Sequence, residues 1–277
     1  MEFNLVHYKD FTRKSDKPFD VFISYISTQF DKYIYRRIVD NNHFESIIVF
    51  PDNKSAIYGE DPRVFKLGNE QYLLSQEYIP STNTFKQHVA NTDTKEVLEY
   101  GVNKENFVYG KNWTPFVFND KLYIIHKFDP ITIIKDGEII HEHKTNLPTN
   151  IDNVKTFCMY RGGTNGLQKG HLIFGFGHAN ESMQKHTPFL WVIDTKKNSY
   201  EHAIITDFPC KYKIVDSTSL FEENGKYYLG VYESEIHWIH DGEYECFSKV
   251  YEFNFEQIYS KLSSYADYKK YENVPLV

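Results

Sequence analysis

One layout occurs four times in this chain and constrains its fold more than any other feature. A polar or glycine-containing turn leads into a short apolar strand, then a turn with Asn, Gly or Asp, then an aromatic strand. The copies open at Glu60-Asp-Pro-Arg63, Lys111-Asn-Trp-Thr-Pro115, Arg161-Gly-Gly-Thr164 and Asp216-Ser-Thr-Ser219. Their starts lie about 50 residues apart, which leaves room for about four strands per unit. Further strand-like runs fill the intervals, as at 187–193 and 201–205, and runs at 20–25, 32–39 and 45–50 supply a fifth unit. This pattern predicts an all-β chain, a five-bladed β-propeller forming a single domain over residues 1–277. A two-sheet sandwich is the alternative, but it gives no reason for a polar cluster at the same point of each unit. A short C-terminal helix is expected where Phe255-Glu-Gln-Ile-Tyr-Ser-Lys-Leu262 carries apolar residues near helical spacing.

Composition agrees and excludes several function classes. Among 277 residues, 22 Tyr and 22 Phe supply core material suited to sheets rather than helices. The net charge of −7 is diffuse and no basic block occurs, so neither nucleic acid nor an anionic membrane surface is an expected partner. Cys158, Cys210 and Cys246 are odd in number and far apart, which reads as free thiols in a reducing compartment. The first ten residues lack a signal peptide's basic-then-apolar order, and no run is long enough to cross a bilayer. A soluble cytoplasmic protein is the expectation. Gly-rich nucleotide loops, a Gly-x-Ser-x-Gly elbow and zinc spacing are missing from the sequence, so no cofactor and no metal is expected. His141 and His143 flank Glu142 in an expected outer strand and read as a solvated edge, as do His237 and His240.

The first strand of a propeller blade lines the central channel, so its leading turn faces one mouth. That places Asp61 with Arg63, Lys111 with Asn112 and Trp113, Arg161 with Thr164, and Asp216 with Ser217 around one funnel. Asp61 and Arg63 stand two apart across Pro62 and would point to the same side of an extended segment. Such a pair suits general acid/base work beside a phosphate or sugar, or simply closes a turn as an ion pair. Arg161 precedes two glycines and can seat an anion. His178 follows Phe174-Gly-Phe-Gly177, where small residues admit a ligand closely. Trp113 can stack on a sugar or sit between blades, and Tyr232 and Glu233 occupy the matching strand end of the last unit.

In this order and spacing, Gly59-Glu-Asp-Pro-Arg63, Lys111-Asn-Trp-Thr-Pro115, Phe128-Asp-Pro130, Arg161-Gly-Gly-Thr164 and Gly175-Phe-Gly-His178 resemble the β-1,2-mannoside phosphorylase and β-mannosyltransferase propellers. The resemblance implies inversion at an anomeric carbon on a sugar phosphate or an activated sugar donor. It makes Asp61 the general acid/base and gives Arg63, Lys111, Arg161 and His178 the phosphate or leaving-group oxygens. Asn112 and Trp113 would orient a sugar ring, and Asp216, Tyr232 and Glu233 are further candidate sugar contacts. Asp129, Asp216 and Glu233 are the candidates for a second carboxylate, which ordinary hydrolysis requires. The Lys-Asn-Trp-Thr-Pro and Arg-Gly-Gly-Thr forms look closer to the transferase-like branches. The expected function is therefore an inverting glycosyltransferase that uses a nucleotide- or phosphate-linked sugar donor and a glycan acceptor. A β-glycoside phosphorylase or hydrolase, and a non-catalytic carbohydrate-binding propeller, are the alternatives.

Overall fold

Three pairs of neighbouring residues with positive φ set the hairpins: Asn119 and Asp120 (51° and 54°), Asp136 and Gly137 (51° and 76°), and Asn224 and Gly225 (53° and 75°). Type I′ turns demand positive φ at both central positions, and Asn, Asp and Gly adopt it most readily. Their twist matches that of the flanking strands, so these dipeptides fix which runs pair. The computed structural model of the protein describes residues 2–13, 22–25, 33–38, 46–49, 56–58, 60–79, 81, 84–99, 112–143, 160–182, 184–235 and 244–276. Between residues 7 and 60 it describes the backbone alone.

The chain opens with β1 (Phe3–Arg13) and continues through three four-stranded antiparallel sheets. The first holds β2 (Phe22–Tyr25), β3 (Tyr33–Ile38), β4 (Ser46–Val49) and β5 (Ala56–Tyr58). The second holds β6 (Glu60–Leu67), β7 (Glu70–Ile79), β8 (Thr84–Asn91) and β9 (Val97–Glu99), and the third β10 (Thr114–Phe118), β11 (Lys121–Phe128), β12 (Ile131–Lys135) and β13 (Glu138–Glu142). The remaining strands are β14 (Tyr160–Gly162), β15 (Leu167–Lys169), β16 (Leu172–Ser182), β17 (Lys185–Asp194), β18 (Ser199–Ile204), β19 (Ile214–Glu223), β20 (Lys226–Ser234), β21 (Tyr244–Phe253) and β22 (Ala266–Glu272). Together with β1 they form one ten-stranded sheet, whose two antiparallel runs meet, among the described residues, through the parallel pairing of His186 with Ile214.

First strands face one another: β6 lies against β10, β10 against β15, and β19 against both β6 and β2. The contact of β2 with β19 and β20 joins the first sheet to the last run and closes the circle. The fold is a β-propeller.

Successive strand residues point to opposite faces, and the core divides accordingly. Ile124 and Ile134 turn toward the second sheet and meet Phe65, Leu74 and Val89. Their neighbours Tyr123, Ile125 and Ile133 turn the other way and meet Phe189, Trp191 and Ile193. On β17 the intervening Leu190 and Val192 face Leu229, Val231 and Phe253 of the last run. Both faces are buried, so the strands read as nearly continuous apolar runs. Trp191 is packed close against the sheet: a Cβ on Gly175 would lie 2.5 Å from its ring.

Both chain ends add strands that sequence patterning leaves out. The N-terminal β1 pairs with β21, from Phe3 opposite Phe253 to Arg13 opposite Tyr244, so the last run contains the first strand of the chain. The expected helix is α1 (Phe255–Ser260), capped by Asn254, whose side chain accepts from the Gln257 N–H at 3.0 Å. Beyond it β22 pairs with β18, and Val274 and Leu276 are buried. No described helix is long and apolar enough to cross a membrane.

His202 on β18 is fully buried against Tyr160, and neither ring nitrogen has a hydrogen-bond partner among the described residues. Burial drives its imidazole down to about 4, with the Asp129 charge opposing and the Lys269 charge adding to the fall. An unfolded His takes its proton near 6.5, so the unfolded chain binds more protons between those values. This contribution is complete above pH 6.5 and is lost as the pH falls toward 4, by up to about 3 kcal/mol. Urea midpoints should drop between pH 7 and pH 4.5, and His202→Phe should flatten that slope. An equal slope in the variant would remove His202 as its source.

Candidate active site

The site begins at a bulge. Glu60 pairs with Gln76 and Arg63 with Leu74, so Asp61 and Pro62 together stand opposite Ser75 and β6 carries one extra residue. Asp61 takes φ 49°, a left-handed conformation that Asp tolerates better than most side chains. The two residues are therefore not displayed by plain strand alternation; their side chains are linked through Gln76 and Asn112. Arg63 donates from Nη1 to the Asp61 backbone carbonyl, and from Nη2 to Asn112 Oδ1 (3.0 Å) and the Gly162 carbonyl (3.3 Å). Only 6% exposed, its guanidinium fastens three segments of chain together. The Asp61 carboxylate accepts from Gln76 Nε2 at 3.0 Å, and Gln76 Oε1 accepts the Asn112 backbone N–H at 2.9 Å. Asn112, with φ 65°, is thus an anchor for Arg63.

The two glycines after Arg161 give way to neighbouring backbone. A Cβ on Gly162 would overlap the Asn112 carbonyl, and one on Gly163 would lie 2.5 Å from the Ser217 carbonyl. The next amide, Thr164 N–H, donates to the Phe176 carbonyl at 2.8 Å. Close approach between strands accounts for this Gly-Gly pair. Gly177 likewise makes room for the Arg161 carbonyl and the Phe189 ring.

Arg161 pairs across β14 and β16 with His178. With the Asn180 amide oxygen turned toward it, the guanidinium donates from Nε and Nη1 at 3.0 and 3.2 Å. His178 and His186 stack with ring centroids 5.5 Å apart, both beside Asp216. His186 Nδ1 lies 2.8 Å from Asp216 Oδ1, and since an ionised carboxylate only accepts, that nitrogen carries the proton. His178 Nδ1 is 3.7 Å from the same oxygen, outside hydrogen-bond range. Burial pushes the His178 imidazole down to about 4; the Asp216 charge resists this, while His186, Arg161 and Arg63 reinforce it. Burial works against ionisation of Asp216, but the charge of His178 and the hydrogen bond and charge of His186 outweigh it and hold the carboxyl at about 2, against repulsion from Asp61. At neutral pH the imidazole of His178 is neutral and Asp216 is ionised.

Asp61, Arg63, Asn112, Arg161, His178 and Asp216 are therefore brought together. Other expected members are placed elsewhere. Trp113, 2% exposed, is enclosed by Phe65, Leu74, Val89, Ile124 and Ile134, with its ring edge-on to His126. Glu233 pairs with Val215, so it lies on the opposite face of the sheet from Asp216. Fully buried, it accepts the backbone N–H groups of Lys211 (2.5 Å) and Tyr212 (2.6 Å) and an ion pair from Lys249. Tyr232 sits opposite Asp216 in the β19–β20 register. Ser217 Oγ donates to the Gly177 carbonyl at 3.2 Å. Asp129 is bound by Lys269 and Tyr271 of β22, which hold its carboxyl below the usual range despite burial. Lys111, His237 and His240 lie outside the described residues. Gln76, Asn180 and His186 were not singled out by sequence, because only strand register and the bulge bring them here.

The sequence matches no family model, and no curated protein matches it. Solved structures do share its architecture. MPT-1, a GDP-Man-dependent mannosyltransferase from Leishmania mexicana, is 13% identical with a TM-score of 0.55, over 99% of this chain and 94% of its own. A hypothetical protein from Leishmania major is 13% identical with a TM-score of 0.49, over 85% of this chain and 87% of its own. A GH43 endo-arabinanase from Bacillus licheniformis is 8% identical with a TM-score of 0.46, over 84% of this chain and 92% of its own.

Proposed function

We propose that the chain is a carbohydrate-active enzyme, an inverting glycosyltransferase built as a single five-bladed propeller over residues 1–277. The two runs of the ten-stranded sheet count as separate blades in this reading. One observation carries it. Strands β6, β14, β16 and β19 converge so that two carboxylates, two guanidiniums and a buried imidazole act on one another's charge. A likeness in fold to a GDP-Man-dependent mannosyltransferase over nearly the full length of both chains supports a nucleotide-linked donor. In this reading an acceptor hydroxyl attacks the anomeric carbon of the donor from the face opposite the leaving group. The new C–O bond forms as the bond to the donor phosphate breaks, and the electron pair leaves on the phosphate oxygen. Asp61 receives the hydroxyl proton. Arg161 faces the developing phosphate charge, with Lys111 and His178 as further ligands and Arg63 a fixed positive charge beneath. Asp216, Tyr232 and Asn112 meet the sugar hydroxyls. We place the reaction in the cytoplasm, on a glycan acceptor.

A second reading has its own support. Asp216 is an ionised carboxylate close enough to Asp61 to feel its charge, and a carboxylate pair is what hydrolysis needs. Proton NMR of the anomeric region separates the two. Transfer predicts a new inverted glycosidic signal that requires acceptor and donor and is indifferent to inorganic phosphate. Release of free sugar, or of sugar 1-phosphate only when phosphate is added, would replace transfer with hydrolysis or phosphorolysis.

A further inference from the structure

His178, His186 and Asp216 come from three different strands, yet one nitrogen of each ring and one carboxylate oxygen all lie within 4.8 Å of one another. The fold imposes this. In the β16–β17 hairpin His178 pairs with Pro188 and Asn180 with His186, which brings the two rings into a stack on one face. The parallel pairing of His186 with Ile214 then delivers Asp216, two residues along β19. Asp216 Oδ1 is 2.8 Å from His186 Nδ1 and 3.7 Å from His178 Nδ1. An ion held at about 2.0–2.2 Å by each donor separates tetrahedral ligands by roughly 3.5 Å, and the two distances straddle that value. His178 is 7% exposed, and its Nδ1 points at the carboxylate without a hydrogen-bond partner among the described residues. A buried polar atom left so costs about 1–3 kcal/mol, which a ligand would recover.

We propose that His178, His186 and Asp216 form a binding site for a divalent transition-metal ion on the wall of the funnel. Two imidazole nitrogens and one carboxylate oxygen suit Zn²⁺ or a similar first-row ion better than Mg²⁺ or Ca²⁺, which prefer oxygen alone. Three protein ligands leave a coordination position open, as in sites that act on a bound oxygen. A metal bound at His186 Nδ1 takes the place of the proton that this nitrogen donates to Asp216, and the ring stays neutral with its proton on Nε2. The surrounding charges bear on what takes the open position. Asp61 and Asp216 are balanced by Arg63 and Arg161 nearby, so a dication adds positive charge that an anionic oxygen ligand would neutralise. The site shares His178 and Asp216 with the glycosyl-transfer reading but does not rest on it, since it is tested by binding and not by turnover.

The test is metal binding by the full chain after chelation and dialysis, with Zn²⁺ titrated calorimetrically and Co²⁺ followed by its visible spectrum. One equivalent should bind, and Co²⁺ should show visible bands of nitrogen and oxygen ligation without an intense near-ultraviolet thiolate band. Asp216→Asn and His186→Gln should each weaken binding at least tenfold, the loss seen even when groups behind the ligands are removed. His141→Gln should leave it unchanged. Substoichiometric binding, a thiolate band, or binding equal in wild type and both ligand variants would overturn the proposal. The wild-type spectrum decides it even where a variant fails to fold.

Discussion

Asp61→Asn should lower turnover by about 10²–10⁴-fold and leave donor affinity within a few-fold of wild type, the range lost when a positioned acid/base is removed. The substitution is clean for structural reasons. Asn is nearly isosteric, its side-chain oxygen can still accept from Gln76 Nε2, and it tolerates the φ of 49° at this position. What it cannot do is take a proton from an acceptor hydroxyl. Rates at saturating donor, paired with a binding isotherm for each protein, separate the two effects. Unchanged turnover would leave Asp61 a bulge residue; loss of both turnover and binding would make it a donor ligand instead.

Glu233→Ala should cost about 3–5 kcal/mol of stability, the usual penalty for removing one partner of a buried ion pair. The variant strands the Lys249 ammonium beside the apolar face of β20 and leaves the Lys211 and Tyr212 N–H groups unpaired. Replacing both partners, as Glu233→Leu with Lys249→Met, should recover part of the loss, because no buried charge then remains unpaired. Urea unfolding measures each step. The same experiment asks whether Glu233 touches sugar, as its position at a strand end suggested. A stable variant with abolished ligand binding would return it to the site.

The strand pattern could be read from sequence because its punctuation is local. Asn, Asp and Gly at the hairpin turns mark strand ends, and the four repeated turns at 60, 111, 161 and 216 fall within a few residues of the starts of β6, β10, β14 and β19. The pairing of β1 with β21 could not be read, since Phe3 and Phe253 lie at opposite ends of the chain and nothing local links them. β22 was hidden for a related reason. Its seven residues are mostly polar and carry no apolar alternation, so only its partner β18 defines it.

The site divides along the same line. Residues at the leading turns, Asp61, Arg161 and Asp216, converge because turn position is set by the repeat. Trp113 shares such a turn but is drawn into the core by its apolar area, which is worth more against Phe65 and Leu74 than at a wet mouth. Arg63 was expected to face a ligand. It is instead committed to the Asp61 carbonyl that the bulge presents, to the Gly162 carbonyl and to Asn112 Oδ1, a geometry with no sequence mark beyond Pro62. His186 became visible only through the register of a hairpin and a single parallel pairing.

Binding of a phosphorylated sugar donor at this cluster is read by a thermal-shift panel. Nucleotides, nucleotide sugars, sugar 1-phosphates and inorganic phosphate would be compared across wild type, Asp61→Asn and Arg161→Ala. A ligand that binds only the folded state raises the melting temperature as it saturates the site. A nucleotide sugar or sugar 1-phosphate should stabilise wild type and Asp61→Asn alike, and Arg161→Ala much less. No shift with any of these ligands, or an equal shift in Arg161→Ala, would contradict donor binding at this cluster.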